Sequence, residues 1–220
     1  NDQSRVFVHN GTSGITWFTT NNWSQERLIP NFPTWAGSSW MGGIDTTPDD
    51  SLVILSAISE INAYWINNGT FAWTIDNHTQ YIRALKVSPD GRYLASGSDS
   101  NNMLIHTLGI TPVLIKTLNI GSDVYEIDIS KDGGTVFVAS HSRTVKTFDS
   151  LSWNSLGNIS GFNGSSNNNR GTDSIAVSPD GERLVISHRR GNMSLYFAPD
   201  AYIRLHGEHY TSLMEDYWRL

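Results

Sequence analysis

The chain has 220 residues, of which 38% are apolar and 16% charged, with a formal net charge of -6 and no cysteine. This apolar content can supply a core, while the negative balance and the absence of a Lys/Arg stripe argue against a phosphate-backbone binder. Without cysteine there is no disulfide framework and no thiolate nucleophile or metal site, and no run approaches the roughly 20 apolar residues that span a bilayer. Abundant Gly, Ser, Thr and Asn beside 11% aromatics suit an all-β chain of short strands and tight polar turns.

In chain order, Asp2 precedes Arg5-Val6-Phe7-Val8 as a turn residue precedes a strand. Gly14–Phe18 and Arg27–Ile29 read as the next two strands, and Pro30–Trp40 as a longer crossing. A turn motif then recurs as Thr47-Pro48-Asp49-Asp50, Ser88-Pro89-Asp90-Gly91, Ser130-Lys131-Asp132-Gly133 and Ser178-Pro179-Asp180-Gly181. Pro presets the second turn position, Asp accepts nearby backbone N–H bonds, and Gly takes the positive φ of a tight reversal.

The aspartates Asp49, Asp90, Asp132 and Asp180 are spaced by 41, 42 and 48 residues, the longest interval holding the polar insertion Gly161–Gly171. That is the period of a four-stranded propeller blade. The clearest set of strands is Tyr81–Val87, Arg92–Ser96, Asn102–Leu108 and Pro112–Leu118, each with alternating apolar residues.

Residues 78–108, HTQYIRALKVSPDGRYLASGSDSNNMLIHTL, resemble the WD-repeat consensus nearly position by position. Residues 172–197 and 123–149 follow the same template, and residues 40–66 match more loosely. The resemblance implies an all-β, single-domain (1–220) propeller of four-stranded antiparallel blades. Five turns at Asp2, Asp49, Asp90, Asp132 and Asp180 give five blades, the first completed by a strand within Leu213–Leu220. It also implies an internal His, Ser/Thr, Asp and Trp relay, from which this chain departs. His78 fits, but Ser100 and Ser142 stand at the Asp position and His106, Phe148 and Tyr196 at the Trp position.

Family partners dock on the face made by loops entering the inner strand and by the second turn of each blade. Here that surface comprises Tyr81, Arg83, Asp99, Tyr125, His141, His188 and Arg189, a mixture suited to a protein or peptide. Trp17, Trp65 and Trp73 fall inside strand patterns and read as core. Trp23, Trp35, Trp40 and Trp153 lie in or beside loops, as partner hot spots or as covers of blade ends.

The expected function is a non-enzymatic binding scaffold, without cofactor or metal. A secreted, glycan-binding propeller is one alternative. The other is a lactonase- or glycosidase-like enzyme using inner-strand acids such as Asp45, Glu126 and Asp128, against which stands an ordinary polar channel with Lys86 as their partner. His206-Gly207-Glu208-His209 lacks the spacing and further ligands of a zinc site, Ser96-Gly97-Ser98-Asp99 reads as a turn, and Gly42-Gly43 as close strand packing. The resemblance points to an intracellular protein. Seven sequons, at Asn10, Asn22, Asn68, Asn77, Asn158, Asn163 and Asn192, point to a secreted one.

Overall fold

The computed structural model describes residues 5–9, 15–29, 41–142, 144–159, 172–179, 183–188 and 193–197. Every regular element among them is a β-strand, and the strands form five antiparallel meanders. The first sheet is β1 (Arg5–His9), β2 (Ile15–Thr19) and β3 (Gln25–Ile29). The second is β4 (Met41–Thr46), β5 (Leu52–Ala57), β6 (Glu60–Trp65) and β7 (Phe71–Ile75). The third is β8 (Ile82–Val87), β9 (Tyr93–Ser98), β10 (Asn102–Thr107) and β11 (Leu114–Asn119). The fourth is β12 (Val124–Ile129), β13 (Thr135–Ser140), β14 (Val145–Asp149) and β15 (Ser155–Ile159). The fifth is β16 (Thr172–Val177), β17 (Arg183–His188) and β18 (Met193–Phe197).

The repeated turn sets the first hairpin of the second, third and fourth sheets. Ser88 Oγ donates to Asp90 Oδ1 at 2.7 Å and accepts the Tyr93 N–H at 3.0 Å, while Gly91 N donates to the Ser88 carbonyl at a φ of 70°. Ser130, Asp132 and Gly133 repeat the arrangement, as Thr47 does in bonding the Leu52 N–H at 3.0 Å. The turn aspartates Asp2 and Asp180 lie outside the described residues, as do Pro30–Trp40, His206–His209 and Leu213–Leu220.

Sheets stack face to face, so the second strands β5, β9 and β13 are buried along their whole length while the outer β11 is almost wholly exposed. The third-to-fourth interface holds Tyr93, Ala95, Met103 and Ile105 against Val124, Ile127, Val136 and Phe148. Stacking of this kind buries what a single blade cannot. Two glycines mark its closest approaches: a Cβ on Gly42 would stand 1.8 Å from the Ile82 carbonyl oxygen, and one on Gly97 2.2 Å from Val124 Cγ1.

Several expectations change. Ser96, Gly97 and Ser98 belong to β9, and only Asp99 of that group is in the turn, because Gly97 is needed where the next sheet presses on the strand. Trp17 and Trp73 are core, but Trp65 is 37% exposed at the end of β6. The relay takes a substitute form. His78 Nδ1 bonds Ser98 Oγ at 3.0 Å, its Nε2 bonds Ser96 Oγ at 2.8 Å, and Ser98 passes to Ser100 at 2.7 Å. Burial lowers the His78 pKa to about 4, so the relay is neutral. His106, at the Trp position, bonds Asn77 Oδ1 at 2.9 Å instead.

Candidate functional site

Two backbone bonds build the site. Asp99 N donates to the Tyr81 carbonyl at 3.0 Å and His141 N to the Asp123 carbonyl at 2.8 Å, holding each inner-strand entry against the turn after the second strand. Side chains at these two positions therefore meet within a blade. Arg83 Nη2 donates to Asp99 Oδ2 at 2.6 Å and its Nε to Oδ1, a bidentate pair that holds the Arg83 pKa above its ordinary value. In the next blade Tyr125 and His141 pack edge to face, ring centroids 5.9 Å apart.

The two pairs join across the sheet boundary, with the Arg83 guanidinium 5.3 Å from the Tyr125 ring centroid in a cation–π contact. The result is one row, Asp99–Arg83–Tyr125–His141, half-buried at one end and exposed at His141. Its charges are matched internally, so it offers aromatic surface and oriented polar groups, the composition of a protein-contact patch. Tyr81 contributes its carbonyl. The side chain of His188, which ends β17, lies outside the described residues, as does Arg189. Asp123 was not among the expected site residues, although it stands beside Tyr125 and acts electrostatically on Arg83.

The loop tryptophans separate. Trp23 is 66% exposed, whereas Trp153 is partly buried, edge-on to Tyr93 with centroids 5.1 Å apart. Trp153 thus covers a blade end and is not a free contact. Trp35 and Trp40 lie outside the described residues.

The inner-strand acids are engaged in joining sheets. Asp45 Oδ2 accepts the Val87 N–H at 2.9 Å, and Asp128 Oδ2 accepts the Val177 N–H at 2.7 Å. Lys86 Nζ stands 3.3 Å from Asp128 Oδ1; burial opposes its charge, but Asp45 and Asp128 outweigh that and raise its pKa. Glu126 accepts the Ile127 N–H at 3.3 Å and lies 3.5 Å from Ser174 Oγ. Burial pushes its pKa up to about 7. Among the described residues no three His, Asp or Glu side chains converge as metal ligands.

Comparison with known proteins agrees with this architecture. The family model described as WD domain, G-beta repeat matches residues 69–106. Mouse (Mus musculus) WD repeat-containing protein 62 is 41% identical over 63 residues, which is 28% of this chain. The chain spans 4% of the length of that relative. The matched stretch is one WD repeat of a kind that serves in general in protein-interaction scaffolds, and the antiparallel sheets of the described residues are consistent with propeller blades.

Proposed function

We propose that this chain is a non-enzymatic scaffold that presents the Asp99–Arg83–Tyr125–His141 row to a protein or peptide partner. The observation that supports the reading most is the continuity of the row across two sheets, pinned by the Arg83–Asp99 pair and the cation–π contact. Such pinning removes rotamer entropy before binding, which favours association by about 0.5–1.5 kcal/mol per fixed side chain. The turns bearing it stand on rigid, buried strands.

The test is selection of a random-peptide phage library on the purified chain, followed by affinity measurement of the enriched peptides. Tyr125→Ala and Arg83→Ala are expected to weaken binding tenfold or more, and the exposed control Lys131→Ala to leave it unchanged. Peptides that bind all variants equally would overturn the assignment of this face. Circular dichroism melting of each variant separates loss of the surface from loss of the fold.

A further inference from the structure

A hydroxyl residue stands directly before proline at Thr47-Pro48, Ser88-Pro89, Thr111-Pro112 and Ser178-Pro179. Three of these pairs open the repeated turn motif, and there the hydroxyl is committed to the fold. Thr47 Oγ1 accepts the Leu52 N–H at 3.0 Å, Ser88 Oγ the Tyr93 N–H at 3.0 Å and Ser178 Oγ the Arg183 N–H at 2.9 Å. Thr47 and Ser88 are 7% and 0% exposed. Such an oxygen meets another molecule only when its hairpin opens.

Thr111 stands apart from them. It lies in the turn between β10 and β11, is exposed, and makes no hydrogen bond among the described residues. The turn closes beneath it, where Thr107 N donates to the Val113 carbonyl at 2.9 Å and Val113 N to Thr107 Oγ1 at 3.0 Å. The corresponding turns of the first, second and fourth sheets close one residue sooner, Thr19 on Ser24, Trp65 on Thr70 and Asp149 on Asn154. With the extra residue, Gly109, Ile110 and Thr111 are all exposed, Ile110 by 86%. Pro112 biases Thr111 towards extended backbone, the form in which a peptide segment enters a partner's groove.

We propose that Thr111 is a phosphorylation site for a proline-directed serine/threonine kinase. In the transfer, Thr111 Oγ1 bonds to the γ-phosphorus of ATP as the bond from that phosphorus to the β–γ bridging oxygen breaks. ADP leaves, and the hydroxyl proton passes to the kinase's base. The phosphate brings a charge of about −1.5 to −2 at pH 7. It enters beside Val113, Leu114 and Ile115, which are 56%, 41% and 49% exposed where β11 forms the open edge of the third sheet. Charge on such an edge opposes pairing with a further strand, so the modification turns an apolar edge into an anionic one.

The test treats the folded chain with ATP, magnesium and a purified mitogen-activated protein kinase, and locates phosphate by mass spectrometry of the digest. Thr111 is expected to carry it. Synthetic peptides 43–53, 84–94 and 106–116 serve as unfolded references. Thr47 and Ser88 are expected to react at least about tenfold more slowly in the chain than in their peptides, since local opening must come first. Thr111 is expected to react at similar rates in both. Thr111→Ser should keep the modification and Thr111→Val should lose it. Phosphate on peptide 106–116 but not on Thr111 of the chain, or on neither, would overturn the proposal. Equal reaction of Ser88 and Thr111 in the folded chain would do the same, because the fold would then not be selecting the site.

Discussion

The turn Thr19–Ser24 in the first sheet and the turn Asp149–Asn154 in the fourth share one backbone in opposite surroundings. In the first, Thr19 N donates to the Ser24 carbonyl at 3.0 Å and Trp23 N to the Thr19 carbonyl at 2.9 Å; in the fourth, Asp149 and Trp153 repeat these bonds at 3.0 and 2.8 Å. Both tryptophans have positive φ, 56° and 59°. Yet Trp153 rests on Tyr93 of the third sheet while Trp23 is 66% exposed. Local sequence selects the turn, and the adjoining sheet decides whether its strained residue is compensated.

The largest expected effect comes from the crowded side of this comparison. Gly97→Ala puts a methyl where Val124 Cγ1 stands 2.2 Å away, and β9 and β12 cannot separate without opening the core they share. Urea denaturation should show a loss of about 3 kcal/mol, the upper range for overpacking. A loss below about 1 kcal/mol would mean that this interface yields more easily than its burial implies.

Replacing each tryptophan by glycine tests the contrast directly. Left-handed backbone costs a non-glycine residue about 1–2 kcal/mol, which glycine relieves. At Trp153 the lost packing on Tyr93 outweighs that relief, so Trp153→Gly should destabilise by about 1–2 kcal/mol. At Trp23 little packing is lost, so Trp23→Gly should stabilise by up to about 1 kcal/mol. Changes of the same sign in thermal melts would dissolve the comparison.

How much of this could be read beforehand follows the same division. Turn chemistry is local, so Asp49, Asp90 and Asp132 announced their hairpins, whereas Arg83, Asp99, Tyr125 and His141 were grouped on one face by the family resemblance alone. What depends on a neighbouring sheet was not legible. The motif around Ser96 and Gly97 has turn composition, but the bulge between Ile82 and Ala84 and the pressure of Val124 keep it in strand. The cation–π contact joining the surface pairs spans two blades. Asp45 and Asp128 read as acids of a polar channel with Lys86 as partner, but the service of their second oxygens as hydrogen-bond acceptors between sheets was not visible in the sequence. Asn77 as the partner of His106 had a signal in the Asn77-His78 dipeptide, but only once the Trp position is seen to hold an imidazole.

The smallest effect concerns a charge on the crowded side. Glu126 lies where the second sheet has Gly43 and the third Ala84, facing Lys86, Asp128 and Ser174. Burial raises its pKa from 4.5 to about 7, so the folded chain holds a proton there that the unfolded chain releases. Its contribution is therefore full below pH 4.5 and is lost as pH rises through 7. With water reaching part of the carboxyl, the loss should be about 1 kcal/mol, less than the pKa change alone would give. Glu126→Gln keeps the shape without the charge, so the wild type should match it at pH 5 and fall below it at pH 8 in urea midpoints. A difference that does not change with pH would show that Lys86 already compensates the carboxylate, leaving the inner wall of the fourth sheet electrostatically balanced.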